Sequence, residues 1–213
     1  MPTDLPFAPG FAADLDRLFR WRRDVRRFRR DPLPEGALER LLALAATAPS
    51  VGLSQPWRFV LVEDPRRRAA ISAEFARCNA EALGAQGQDR ASLYARLKLA
   101  GLDEAPVHLA VFAEDDPEQG FGLGRRTMPE TTAYSAVLAI HTLWLAAQAE
   151  ALGLGWVSIL DPATVGAALD VPPSWRFIGY LCLGHPAAES DVPELEREGW
   201  ERRRQPADTL LRR

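Results

Sequence analysis

Hydrophobic residues recur along this chain at two spacings, and the alternation between them predicts its elements. Over residues 11–21 the apolar positions fall on one side of a helix, and from Glu35 to Ala48 the residues Leu38, Leu41, Leu42 and Ala45 repeat at three and four. Between these two amphipathic helices, Asp31-Pro32-Leu33-Pro34 breaks one and lets the next begin. Asp64-Pro65 and Asp161-Pro162 each join an N-cap to a proline at the first helical position, predicting a helix over 66–83 and a short one after 162. Four short, nearly continuous apolar runs read as buried strands: "RFVLVED" from 58, "VHLAVFA" over 107–113, "GWVSIL" over 155–160 and "RFIGYLCLG" over 176–184. The first has the pattern of an interior strand. Residues 90–99 read as helical, after the flexible break "GAQGQD".

"APSVGLSQPW" is a loop, punctuated by Pro49, Gly52 and Pro56. Residues 114–130 form the longest stretch without periodicity, ending in Thr127-x-x-Glu130, a capping box that launches an apolar helix to about Leu152. Its most apolar part, 133–149, falls short of the ~20 residues a membrane span needs and reads as a buried central helix. Strands separated by helices predict an α/β layered domain whose core continues across a dimer interface. The whole of 1–213 reads as one domain, with an N-terminal extension over 1–14 and a charged, proline-broken tail over 190–213. There is no internal repeat.

Charge changes this picture in one place. Acidic residues outnumber basic ones, 29 to 26, for a net charge of −3, so the protein as a whole does not favour nucleic acid or an anionic membrane. Yet residues 20–30 hold seven arginines, "RWRRDVRRFRR". Trp21, Val25 and Phe28 are spaced to bury one side of the run, which would fix the guanidiniums in direction and let them clamp a small anion. Asp24, inside this field, is either their salt-bridge partner or a catalytic carboxylate.

Other candidates narrow quickly. Cys78 and Cys182 have no CxxC spacing and no histidine nearby, so neither a disulfide framework nor a zinc site is predicted, and a reducing cytoplasm is the expected compartment. The N-terminus lacks the pattern of a signal peptide. His108, His141 and His185 are scattered over predicted strand, helix and loop, and no metal site is expected. "GFGLGR" has Arg125 where a dinucleotide fingerprint needs glycine, and no GxSxG elbow is present. "APSVGLSQPWRF" suits hydrogen bonding to a polar ring edge, and "GLGWVSILDP" sets Ser158 at a strand end beside glycines that permit close ligand approach.

Taken together, "RRDVRRF", "APSVGLSQPWRFVLV", "LKLAGLDEAPVHLAVF", "GLGRRTMPETTAYSAVLAIHTLWLAAQAEALGLGWVSILDP" and "WRFIGYLCLGHP" resemble the flavin-dependent nitroreductase superfamily. Within it, "APSVG-x-x-QPWRF", "GLGR-x-TMPET" and "GWVSILDP" in this order resemble the 5,6-dimethylbenzimidazole synthase branch. The resemblance runs from about residue 15 to 204. It implies an α+β fold with a mixed sheet flanked by helices, an intertwined homodimer built on the 130–152 helix, and flavin sites at the subunit interface.

The resemblance also assigns residues. Arg22, Arg23 and Arg26, with Asp24 and Val25 between them, would hold the phosphate and ring edge of FMN, while Arg27, Arg29 and Arg30 face solvent or carboxylates. Ser50 and Gln55 would lie near the flavin, Leu99 at the ring, Ser158 at its reactive edge, and Arg203 near the phosphate. In that branch reduced FMN is the substrate, delivered by a separate flavin reductase. With O2 as co-substrate its ring is fragmented to 5,6-dimethylbenzimidazole, the lower ligand of cobalamin, and erythrose 4-phosphate leaves. Such chemistry needs a dry, lidded pocket, with Gln86–Glu104 as the lid and Asp24 and Ser158 as the catalytic pair. Two other readings stand beside it: an NAD(P)H-dependent nitroreductase or flavin reductase, and a non-catalytic flavin- or anion-binding module.

Overall fold

The computed structural model describes residues 7–85 and 100–213. The chain runs α1 (Phe11–Trp21), α2 (Ala37–Ala45), β1 (Trp57–Leu61), α3 (Pro65–Gly84), α4 (Gly101–Glu104), β2 (Val107–Glu114), α5 (Thr131–Ala149), β3 (Gly153–Val157), α6 (Pro162–Leu169), β4 (Trp175–Gly184) and α7 (Glu194–Arg197). Asp64 and Asp161 cap α3 and α6 as predicted, accepting from the amides of Arg66 and Thr164. The predicted helix over 90–99, Leu99 and most of the expected lid lie outside the described residues.

The strands form one sheet in the order β1-β2-β4-β3. Each of its ladders is antiparallel, and the parallel element is a lone bridge between Asp24 and Leu154. Both faces are covered, which is why the strands read as continuous apolar runs. Along β2 and β4, Ala110, Phe112, Tyr180 and Cys182 face one core with Ile71 of α3 and Val165 of α6. Leu109, Val111, Leu181 and Leu183 face the other, with Leu41 of α2 and Ile140 and Leu143 of α5. The strand expected in the interior, β1, lies at an edge: its apolarity records that Val60 and Phe59 meet opposite cores, not that it has two strand neighbours.

Helix α5 departs from expectation in two ways. Glu130 precedes its first turn without a side-chain cap, because Thr131 instead turns its own amide and hydroxyl to the Met128 carbonyl. The helix is also buried on one face only. Thr132, Ser135, Ala136, Ala139, Ile140, Leu143 and Ala147 pack inward, whereas Tyr134, Val137 and Leu138 are exposed on the far side. A helix apolar on both faces has been given one cover.

Candidate active site

The arginine run begins where α1 stops. Arg22 closes that helix, its amide donating to Leu18, and the following residues run extended along the free edge of β3. Asp24 bridges Leu154, Val25 donates to the Leu154 carbonyl at 3.1 Å, and Phe28 bridges Pro186. Two glycines of β3 make this approach possible. A Cβ on Gly153 would stand 2.7 Å from the Val25 side chain, and one on Gly155 would collide with the Val25 carbonyl. These glycines, read in the sequence as room for a ligand, make room for the chain itself.

The run is therefore strand-like rather than helical, and the apolar anchors behave accordingly. Phe28 is buried and its amide donates to Glu104 at 3.0 Å. Val25 packs partly, while Trp21 is exposed. Arg22, Arg23 and Arg26 are half-buried and Arg27, Arg29 and Arg30 exposed, a division that coincides with the one the resemblance implies.

The three half-buried arginines differ in what they touch. Arg23 spends four of its five N–H donors on carbonyls: Nε on Ser190, Nη2 on Asp191, and Nη1 on Arg20 and Arg22. It is a clasp, fastening the chain after β4 to the end of α1. Arg22 lies over the Trp144 ring, 4.7 Å from its centroid. Arg26 points its Nε toward Asp24 at 3.6 Å. Arg203, from the tail, is near enough that its charge, after burial, disfavours the positive charge of both Arg22 and Arg23. Three like charges gathered in one place are the electrostatic outline of an anion site.

Asp24 lies at the centre. Its Oδ1 accepts from the Trp156 amide at 2.9 Å, and with Arg26 at 3.6 Å its other oxygen is loosely paired. Burial pushes its carboxyl above the usual carboxylate range, against the opposing pull of the Trp156 amide, Arg26 and Arg22; the Glu194 charge adds to the rise. A crevice of about 270 Å³ opens beside it, lined by Arg23, Asp24, Arg26, Gln148, Glu194 and Arg197 among others. Ser158 emerges just past the end of β3, exposed, two residues beyond the amide that holds Asp24. Because β3 ends at Val157, three residues before the predicted strand end, Ser158 sits on the following loop.

Ser50 and Gln55 stand elsewhere in the chain. The Ser50 hydroxyl accepts from the Gln55 amide at 3.1 Å, and the Gln55 side chain donates to Ala46 and accepts from Gln119. Gln119 belongs to the glycine-rich 116–126 loop, which with Gly52 and Leu53 lines an open groove of about 1060 Å³ that includes none of the arginine run. The loop and the Ser50 turn meet at two glycines, since a Cβ on Gly120 would stand 2.6 Å from the Gly52 carbonyl. Neither Ser50 nor Gln55 lines the crevice beside Asp24, so within one chain the expected site residues stand in two separate places.

Several groups that shape this site were not singled out in the sequence. Trp156 acts through its backbone amide, which no residue type announces. Trp144 could have been suspected, because an indole N–H within an apolar helix needs a partner; it donates to the Arg23 carbonyl at 2.9 Å. Among the described residues no cluster suits a metal ion, and no helix is long and apolar enough to cross a membrane.

Comparison with known proteins agrees with this architecture. The family model described as the nitroreductase family matches residues 19–185. A 5,6-dimethylbenzimidazole synthase from Rhodospirillum rubrum is 60% identical over 204 residues, spanning 96% of this chain and 97% of the relative. An NADH dehydrogenase from Thermus thermophilus is 35% identical over 202 residues, covering 89% of this chain and 92% of the other. Among solved structures, oxidized iodotyrosine deiodinase bound to FMN and 3-iodo-L-tyrosine superposes with a TM-score of 0.70 at 28% identity, covering 83% of this chain and 91% of that one. A sheet covered on both faces, an arginine segment laid along its edge and a match across most of the chain lead to one placement: the chain belongs to the nitroreductase family.

Proposed function

We propose that this protein is a 5,6-dimethylbenzimidazole synthase, consuming reduced FMN and O2 and releasing 5,6-dimethylbenzimidazole and erythrose 4-phosphate. The observation that carries the reading is the 60% identity to the Rhodospirillum rubrum synthase over nearly all of both chains. The residues suit the substrate: burial first, and then the charge of Arg203, disfavours the positive charge of Arg22 and Arg23, a cost that a bound phosphate would offset. With Arg23 largely engaged by carbonyls, Arg22, Arg26 and Arg203 carry most of the anion binding.

Reduced FMN supplies the ring that reacts with O2 and is dismantled. The protein supplies position and proton transfer. Asp24, whose ionised form is disfavoured by burial, takes a proton readily and serves as the acid–base group at ribityl C1′. Ser158 donates its hydroxyl to the edge of the ring. Ser50 and Gln55, which do not line the crevice beside Asp24 within one chain, join the site from a second copy. The exposed Tyr134, Val137 and Leu138 of α5 are the surface on which the two copies meet in a homodimer. The protein works in the cytoplasm with a separate reductase supplying reduced flavin.

Incubation of the protein with pre-reduced FMN in air, followed by chromatography, should yield 5,6-dimethylbenzimidazole in proportion to flavin lost. The similarity to the Thermus thermophilus NADH dehydrogenase supports a second reading, an NAD(P)H-dependent flavin enzyme. Multiple turnovers of NAD(P)H with flavin conserved and no benzimidazole formed would establish that reading instead.

A further inference from the structure

A guanidinium that is to bind an anion must be held still without being neutralised. The arginines of this chain show the two usual ways of holding one. Arg77 is held by the Glu74 carboxylate and Arg23 by carbonyls; in both, the N–H donors are consumed by the hold. Arg22 is held differently. Among the described residues its guanidinium makes no hydrogen bond or ion pair, and its position is set by the face of the Trp144 indole, 4.7 Å away. A π face attracts the cation without accepting from its N–H groups, so the whole donor set stays available.

The same indole fixes the backbone that carries Arg22. Its Nε1–H donates to the Arg23 carbonyl at 2.9 Å, and its ring leans on Trp156 at 6.4 Å between centroids. Trp156 in turn gives its amide to Asp24. Two tryptophans, one on α5 and one on β3, thereby hold three consecutive residues, 22 to 24, in register.

We propose that Trp144 is a positioning residue for anion recognition, holding the Arg22 guanidinium so that its free donors meet the 5′-phosphate of the flavin. Trp144 therefore sets the preference of the site for FMN over riboflavin, which lacks that phosphate. The inference rests on the flavin site proposed above. Its test is a set of dissociation constants for oxidised FMN and riboflavin, read from flavin fluorescence, in the wild type, Trp144→Phe, Trp144→Leu, Arg22→Ala and the Arg22→Ala/Trp144→Leu double variant.

Trp144→Leu removes face and donor together and should cut the FMN-to-riboflavin preference about tenfold, with riboflavin affinity changed by less than about twofold. Trp144→Phe keeps a weaker face and loses the N–H, and should fall between; as the milder change it carries the test if the leucine variant does not fold. In the Arg22→Ala background, Trp144→Leu should leave the preference where Arg22→Ala put it. Equal weakening of FMN and riboflavin would make Trp144 part of the scaffold and overturn the proposal. So would a full Trp144→Leu effect in the absence of Arg22. A wild type that binds the two flavins equally would instead overturn the phosphate site, and the inference with it.

Discussion

Glu74 and Asp24 are both carboxylates drawn in from bulk water beside arginine, yet the fold moves their proton affinities in opposite directions. Glu74, on α3, is 7% exposed and Asp24 is 37% exposed, so accessibility alone would give Glu74 the higher pKa. The reverse holds. Glu74 receives two N–H donors of Arg77 at 2.9 and 2.6 Å, the Cys78 thiol at 3.2 Å and the Asp161 amide at 3.3 Å, and the Arg77 hydrogen bonds foremost pull it down to about 2. Asp24 has one amide and an arginine held off at 3.6 Å, too little to offset the protein walls around its crevice. The balance of hydrogen bonding against burial decides whether a carboxylate is inert or available: the hydrogen bonds prevail at Glu74 and burial prevails at Asp24. Glu74 ties α3 to the start of α6; Asp24 is left with capacity to spare.

The largest test of this contrast is chemical. Asp24→Asn keeps shape and removes the basic oxygen, so benzimidazole formation should fall by roughly 100-fold or more while reduced FMN still binds anaerobically. Native rates in this variant would reduce Asp24 to a salt-bridge partner. Glu74→Gln should leave turnover per folded molecule unchanged, and a large loss of turnover there would erase the distinction between the two sites.

Next in size is the anion itself. Arg22→Ala should weaken FMN binding by about 1.5–3 kcal/mol, the range of a hydrogen bond to a charged group, whereas Arg29→Ala, exposed and beside Asp31, should change it little. Comparable losses at both positions, measured by flavin titration, would mean that the run acts as a diffuse patch.

The smallest effect is in thermal stability, where the two carboxylates should differ in sign. A depressed folded pKa contributes stability above the unfolded value of 4.5 and loses it as pH falls toward about 2. Glu74→Gln should therefore lower Tm by a few degrees at neutral pH, with the difference closing on acidification. Asp24 carries the opposite shift: its stabilising contribution is present below 3.8 and is lost as pH rises through the elevated folded value. Asp24→Asn should accordingly raise Tm slightly at pH 7 and give no gain below 3.8. Calorimetry of both variants across pH checks the pair, and matching signs would break the contrast.

Much of this was legible in the sequence because it is local. Aspartate-proline caps, glycine and proline punctuation and apolar runs placed the helices α1, α3 and α6 and all four strands to within a few residues. The arginine cluster and its lone aspartate stood out by charge. What stayed hidden depends on contacts across the fold. Periodicity shows that a strand is covered, and so put β1 in the interior when it lies at an edge. It also shows that α5 is apolar all round without saying how much of that surface one chain can bury. That Arg23 would clasp Ser190 and Asp191, 167 and 168 residues away in sequence, has no local signature, nor does an amide of Trp156 reaching Asp24. The placement that brings Arg203 close enough to act on Arg22 and Arg23 carries no periodic mark in the sequence of the tail.

Gly155 has no side chain, no charge and no part in proton transfer, yet the absence of its β-carbon lets the Val25 carbonyl lie against β3 and so fixes where Asp24 and the arginines stand. Every single-nucleotide substitution of a glycine codon that changes the amino acid without ending the chain installs a β-carbon. Genetic drift therefore has no short, harmless step away from this position, and a saturation library selected for activity would rank it beside the acid–base residue itself, for reasons of space alone.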